Sequence, residues 1–334
     1  ERRMAAVLQV AEYKRAHGLP VYDAARETAV LEKAAARIQD PALRPYYKDH
    51  VQNLMDVAKQ YEAVVLGQNR AAYQGVEGAF AHIALRALFP HAEAVSYPTW
   101  DEVFDAVERG DAARGVVPFE SSHAGDVSAV LDLCYNHPAL WVVDVYDLPI
   151  SQNLLVLPGT QLAEIRSVYS HQQAIAQSET FLKQFHLPAT AMLNTAMAAK
   201  FVAESGDKTK AAIASAETAA LYGLEVLVPS INTDGDNTTR FIVLSREKPT
   251  GGNRFSLLFT VDNKPGKLGE VIQIIGASGF NMESIKSRPM PHVPFEYYFY
   301  VELVGDPTAD ETAALLRELN HVCRTVRLLG VYTK

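Results

Sequence analysis

The stretch Ala211-Ala212-Ile213-Ala214-Ser215-Ala216-Glu217-Thr218-Ala219-Ala220-Leu221-Tyr222 decides the fold of the middle of the chain. A short apolar run passes through a serine into a helix-forming segment, which reads as a strand, a helix cap and a helix. The same alternation of short apolar runs and helical segments extends from about residue 70 to residue 247, and it predicts an α/β region. Beyond it, a linker at residues 248–253, rich in glycine, proline and threonine, leads to a tail that reads strand, helix, strand, strand, helix, strand. That is the ferredoxin-like order of an α+β domain. On the other side, residues 1–68 read as helix throughout, punctuated at His17-Gly18-Leu19-Pro20 and between Pro41 and Pro45. The expected architecture is multidomain: an all-α domain at 1–68, an α/β domain at 70–247 and an α+β domain at 254–334. Glu1 already stands inside a helical pattern, so further residues are expected upstream.

Composition limits the function. With 334 residues the chain exceeds one ordinary core, and about 150 residues per domain gives two or three. A net charge of −8 argues against nucleic acid or an anionic membrane surface as the partner, since both need a concentrated positive field. Cys134 and Cys323 have no C-x-x-C spacing, so neither a disulfide framework nor a zinc site is expected, and a cytoplasmic location fits. No apolar run approaches the roughly 20 residues of a membrane span. The phosphate-binding glycine signatures are missing and the histidines show no ligand spacing, so no nucleotide cofactor and no metal are expected.

In the first helix Arg3, Val7, Val10 and Lys14 recur at helical spacing, which sets two cations on the stripe the valines mark as buried. In the third, Val51, Leu54, Met55 and Ala58 define an apolar face, and Glu62 falls one turn further along it. Singly, each of these is a long side chain reaching the rim of a bundle. Jointly they suggest a cavity for a charged ligand, because buried charges are costly unless paired. Asp23 and Glu27, one turn apart, either join that set or cap the second helix. In the α/β region the turns Tyr73 to Gly78, Glu120-Ser121-Ser122, Ser170-His171-Gln172-Gln173 and Ser215 put small or hydroxylic residues at helix starts. Each alone is an ordinary cap; several converging on one cleft would hold a small anion.

The helical region resembles the all-helical chorismate mutase family. The residues that carry the likeness are Glu1-Arg2-Arg3, Lys14, the stretch Pro20 to Glu27 and the stretch Leu54 to Glu62. The resemblance implies that Arg3 and Lys14 hold the carboxylates and ether oxygen of chorismate, and that Asp23 and Glu27 contact its hydroxyl. Glu62 would donate to the ether oxygen, a role only the protonated carboxyl can fill. The α/β region resembles prephenate dehydratase through Ala72 to Phe80, Gly115 to Ser122, Ser170-His171-Gln172-Gln173-Ala174, Asn194-Thr195-Ala196 and Asn237-Thr238-Thr239-Arg240-Phe241, of which Thr239-Arg240-Phe241 is the most specific. This implies two lobes of the periplasmic-binding-protein type with the active site between them. Thr239 would assist loss of the ring hydroxyl. Gln173 and Ser121, with Ser122, Ser170, His171, Thr195 and Arg240, would act on or bind the substrate. Ser121 stands where the family has asparagine.

The tail resembles the ACT domain through Asn263 to Gly269 and Glu283 to Pro289, with Lys286 where a glutamate is usual. That implies an amino-acid effector, phenylalanine, held by Gly266, Leu268, Ser287, Arg288 and Pro289 at a subunit interface. The leading expectation is therefore an enzyme that turns chorismate into prephenate and prephenate into phenylpyruvate, working as a homodimer or homotetramer. Two rivals remain at this level: a dehydratase whose helical arm serves only dimerisation, and a solute receptor built from two closing lobes.

Overall fold

The computed structural model describes residues 2–17, 24–65, 69–233, 237–249, 251–291 and 293–334. They form two compact units, residues 1–70 with 91–93, and residues 71–90 with 94–334.

The smaller unit contains the helices α1 (Arg2–His17), α2 (Ala24–Ala35) and α3 (Arg44–Val65). The buried stripe of α1 runs through Val7 and Ala11, with Val10 half-buried and Arg3 at the exposed edge. On α3 the expected face is observed: Val51, Leu54, Met55 and Ala58 are half-buried and Glu62 is buried. Asp40 ends the loop before α3 by accepting from the Ala42 N–H, so the Pro41 turn starts from a side-chain cap.

The larger unit begins with one α/β lobe. Its elements are β1 (Arg70–Gln74), α4 (Phe80–Leu88), β2 (Glu93–Tyr97), α5 (Trp100–Arg109), β3 (Arg114–Ser121), β4 (Gly125–Asp126), α6 (Ser128–Asn136) and β5 (Trp141–Pro149). A second lobe follows with β6 (Asn153–Val156), β7 (Ser167–His171), α7 (Gln172–Gln177), α8 (Glu179–Gln184), β8 (Ala189–Met192), α9 (Thr195–Ser205), β9 (Lys210–Ala214), α10 (Ala216–Tyr222) and β10 (Glu225–Val228). The Ala211 to Tyr222 stretch is the strand, serine cap and helix that its sequence predicts, with Ser215 Oγ accepting from the Thr218 N–H. Strand β11 (Thr238–Ser245) returns to the first lobe and lies antiparallel between β3 and β5. The chain thus crosses between lobes twice, and the crossings are tied where the Ile150 N–H donates to the Asn237 carbonyl at 2.7 Å.

The tail supplies β12 (Arg254–Thr260), α11 (Lys267–Ala277), β13 (Asn281–Pro289), β14 (Tyr297–Val304), α12 (Asp310–Val322) and β15 (Thr325–Tyr332), in the expected order. Its four strands continue the sheet of the first lobe, giving ten strands in the order β13-β14-β12-β15-β5-β11-β3-β1-β2 with β4 on β3. The second lobe has its own sheet, β10-β6-β9-β7-β8. Gly330 makes the junction possible: it pairs with Val142, and a Cβ there would stand 2.5 Å from the Val142 carbonyl oxygen. One face of the tail sheet packs under its own helices, with Phe255, Leu257, Val301 and Leu303 against Val271, Ile275, Leu315 and Leu319. The other face, Leu258, Tyr298, Tyr300, Leu329 and Tyr332, shares a core with Phe104, Val117, Leu131 and Ile242 of the first lobe. Tail and α/β region therefore make one body, although the sequence marks a linker between them.

Candidate active site

A cavity of about 900 Å³ lies between the two lobes of the larger unit. From the first lobe it takes Gln74, Gly75, Phe80, Trp100, Ser121 and Asp126; from the second it takes His171, Gln173, Gln177, Asn194 and Thr195; from the crossing segments it takes Ile150, Gln152, Asn237 and Thr239. The first residues of α4 and α9 border it. At α9 the Asn194 side chain accepts from the Met197 N–H at 2.8 Å, and at α7 the His171 ring accepts from the Gln173 N–H at 3.3 Å. Helix starts that open on a cavity present N–H groups and a positive dipole end, which suits an anion without a basic side chain. Among the described lining residues there is no lysine or arginine.

The strand geometry sorts the expected residues. Thr239 pairs in register with Ser121 and both line the cavity. The next residue, Arg240, points to the opposite face, as strand alternation requires. There it forms a bidentate pair with Asp147 at 2.8 and 3.1 Å and approaches Glu302 of the tail at 3.6 Å. Hydrogen bonds donated to Asp147 hold the guanidinium charge more firmly than its burial opposes it. Expected as a substrate ligand, Arg240 is not brought to the cavity wall and instead ties the cavity strand to the tail sheet. Ser122 is likewise turned away, its Oγ accepting from the Thr238 N–H at 3.0 Å and so fixing the start of β11. Ser170 is fully buried and donates to the Ile213 carbonyl at 2.6 Å, so it braces β7 against β9 rather than reaching the cavity. Gln173, His171, Thr195, Ser121 and Thr239 are brought together as expected.

Residues to which the sequence reading gave no role complete the wall. Trp100, Gln152 and Asn237 line the cavity, and the Trp100 Nε1–H, Gln152 Oε1 and Asn237 Oδ1 are buried without a hydrogen-bond partner. Gln177, one turn beyond Gln173, accepts from Gln152 Nε2 at 3.1 Å. The i, i+4 spacing of the two glutamines was the available signal.

In the smaller unit, Lys14 Nζ pairs with Glu62 at 2.6 Å, with side chains 12% and 9% exposed. Glu27 pairs with Lys59 at 3.0 Å, and Lys59 also meets Asp56 at 2.9 Å. The charges expected on α1 and α3 thus meet across the helices, with Lys59 as an unforeseen partner. Arg3 departs from expectation: it is exposed, and its guanidinium donates to the Leu54 carbonyl at 2.8 Å. Asp23 lies outside the described residues.

In the tail, Gly266 has φ +85° immediately before α11, a conformation that favours glycine, and Leu268 packs against the core beneath that helix. Ser287 and Pro289 are exposed on β13. Arg288 lies on the other face, bidentate to Asp132 of α6 at 3.0 and 2.6 Å, with Tyr298 Oη donating to the same carboxylate at 2.6 Å. Expected at the effector, Arg288 here forms a clasp between tail and first lobe.

Comparison with known proteins agrees with this architecture. The prephenate dehydratase family model matches residues 71–249, chorismate mutase type II matches 1–63 and the ACT domain matches 255–321. The arogenate dehydratase/prephenate dehydratase 2 of Arabidopsis thaliana is 36% identical over 277 residues, covering 79% of this chain and 72% of that protein. The prephenate dehydratase of Lactococcus lactis is 33% identical over 273 residues, covering 79% and 97%. A solved prephenate dehydratase from Arthrobacter aurescens in complex with L-Phe superposes with a TM-score of 0.73 at 26% identity, covering 79% and 90%. The chain belongs to the prephenate dehydratase family, carrying a chorismate mutase type II domain before its dehydratase domain and an ACT domain after it.

Proposed function

We propose that the cavity of the larger unit binds prephenate and releases phenylpyruvate, and that the helical unit makes this prephenate from chorismate. The observation that carries the reading is the pairing of Thr239 with Ser121 on adjacent strands at one end of a cavity bordered by helix starts. The substrate is a dicarboxylate. Loss of the ring carboxylate as carbon dioxide supplies the electron pair that expels the ring hydroxyl as water, one proton is consumed, and the ring becomes aromatic. A threonine hydroxyl is too weak an acid to protonate the leaving group alone, so Thr239 assists by hydrogen bonding while the departure of carbon dioxide drives the step. Gln173, His171, Thr195 and Ser121 orient the two carboxylates and the hydroxyl. Lys14 and Glu62, with Glu27, hold chorismate in the compact conformation its rearrangement needs, a reaction that calls for shape and charge complementarity rather than a nucleophile.

The ACT domain, together with the L-Phe complex of the Arthrobacter aurescens enzyme, supports phenylalanine as feedback effector, received at Gly266, Leu268, Ser287 and Pro289 between subunits of a dimer or tetramer. A cytoplasmic site of action suits this chemistry, and no described helix is long and apolar enough to cross a membrane.

The test supplies chorismate, and separately prephenate, to the purified chain while phenylpyruvate is followed. Both should yield it, and Lys14→Ala should remove the first conversion and spare the second. Prephenate left unconsumed would reject the dehydratase reading, and equal loss of both steps in the variant would show that Lys14 acts on folding instead.

A further inference from the structure

Apart from His171, Asp126 is the titratable residue among the described residues that line the cavity; it pairs with Glu120 across β3 and β4, so its carboxylate turns to Lys286 just behind the wall of a site for a dianion. Its counter-charge comes from the tail. Lys286 on β13 contacts Asp126 Oδ1 at 2.5 Å and Glu120 Oε2 at 3.2 Å. The Lys286 side chain is 7% exposed, and its ammonium lies 4.8 Å from the centroid of the Phe119 ring and 5.9 Å from that of Tyr300. The lysine end of this pair is dry and lies among aromatic rings, while the Glu120 and Asp126 carboxylates are 37% and 41% exposed and partly screened. Glu120 and Asp126 face each other across the β3–β4 hairpin, in which Ser121 pairs with Gly125, and Ser121, Ala124 and Gly125 are themselves cavity wall. The cation therefore sits behind the hairpin that forms the wall.

We propose that Lys286 is a positioning residue of the dehydratase site: it clamps the β3–β4 hairpin and cancels the charge of Asp126, which would otherwise repel the dianionic substrate. The inference rests on the dehydratase reading. It also gives the strand that carries Ser287 and Pro289 a direct hold on substrate affinity, because whatever draws β13 back leaves the Asp126 charge uncancelled behind the cavity wall.

The test is steady-state kinetics with prephenate on the full chain. In Lys286→Gln the KM should rise about tenfold at low salt while kcat stays within about twofold, the mark of lost binding shared by ground and transition states. The rise should shrink at roughly 0.5 M salt, where charges separated by more than about 4 Å are screened. Lys286→Arg should keep the wild-type KM, and adding Asp126→Asn to Lys286→Gln should bring it back to within about threefold. A KM unchanged in Lys286→Gln, or a rise that neither salt nor Asp126→Asn reverses, would reduce Lys286 to a structural salt bridge and overturn the proposal. Should Lys286→Gln alone fail to fold, the double variant decides: a near-wild-type KM sustains cancellation of the Asp126 charge as the role of Lys286, and a tenfold increase rejects it. Absence of prephenate turnover in the wild-type chain would reject the dehydratase reading and this inference together, whereas the other outcomes bear on Lys286 alone.

Discussion

At the scale of single residues, neighbours in sequence do different work. Thr239 and Arg240 are adjacent in the most specific motif of the chain, yet alternation sends one into the cavity and the other into the contact with the tail. Arg240→Leu should therefore act mainly on stability. It leaves Glu302, 3% exposed and with one oxygen already lacking a partner, as an uncompensated buried charge. The expected loss is about 3 kcal/mol, the lower end for breaking a buried pair, because Asp147 on the other side of the guanidinium remains partly solvated. Arg240→Lys should recover only part of it, since a point charge cannot reproduce the two-pronged contact. Denaturant midpoints measure this; a variant of full stability that has lost prephenate binding would restore Arg240 to the substrate. The motif was legible in the sequence, but the direction of each side chain was not, because that depends on which strands flank β11.

Among elements, the contact between α6 and β13 carries a pH dependence of predictable sign. Burial raises the tendency of Asp132 to take a proton, but hydrogen bonds from Arg288 and Tyr298 outweigh it and hold the carboxyl below its ordinary value of 3.8. A carboxyl with a lowered folded-state pKa stabilises fully above its unfolded value and loses that contribution as pH falls through the lowered one. The clasp should thus be intact above about pH 4 and fail progressively below it. Asp132→Asn should lower stability at neutral pH by about 1 kcal/mol, the low end for a charge-assisted bond because the pair is about one-third exposed, and should make the acid limb of the stability curve shallower. Thermal melts from pH 3 to 7 would show it, and parallel curves for wild type and variant would contradict it. Here the sequence was informative about order and silent about docking. The βαββαβ order follows from hydrophobic period and turn residues, which are local, whereas the pairing of Arg288 with Asp132 joins residues 156 positions apart.

For the molecule as a whole, the sequence announces three regions and the structure builds two bodies. The reason is physical: the linker at 248–253 is a local signal, but the second face of the tail sheet is apolar and is buried on the first lobe. Gly330 marks that junction; an isolated glycine between Leu329 and Val331 in a strand pattern signals a close backbone approach, but not which strand makes it. Ending the chain near Glu247 would strip this shared core, so truncation would disturb the dehydratase as well as any effector site. The site itself was half legible. Motifs pointed to Thr239, Gln173, His171, Thr195 and Ser121, and one of them contains Asn237, while Trp100, Gln152 and Asp126 join the cavity only when the lobes are folded, since each stands on a different segment and carries no spacing signal of its own.

The central claim is that one chain carries chorismate through to phenylpyruvate and that the second step depends on the hydroxyl of Thr239 in the interlobe cavity. The most direct measurement feeds chorismate to folded Thr239→Val and follows both prephenate and phenylpyruvate. Removing one hydrogen bond made to the departing group should slow the second step by about 10²-fold or more, so prephenate should accumulate while chorismate disappears at the wild-type rate. Phenylpyruvate formed from chorismate at the wild-type rate by the valine variant would contradict the account.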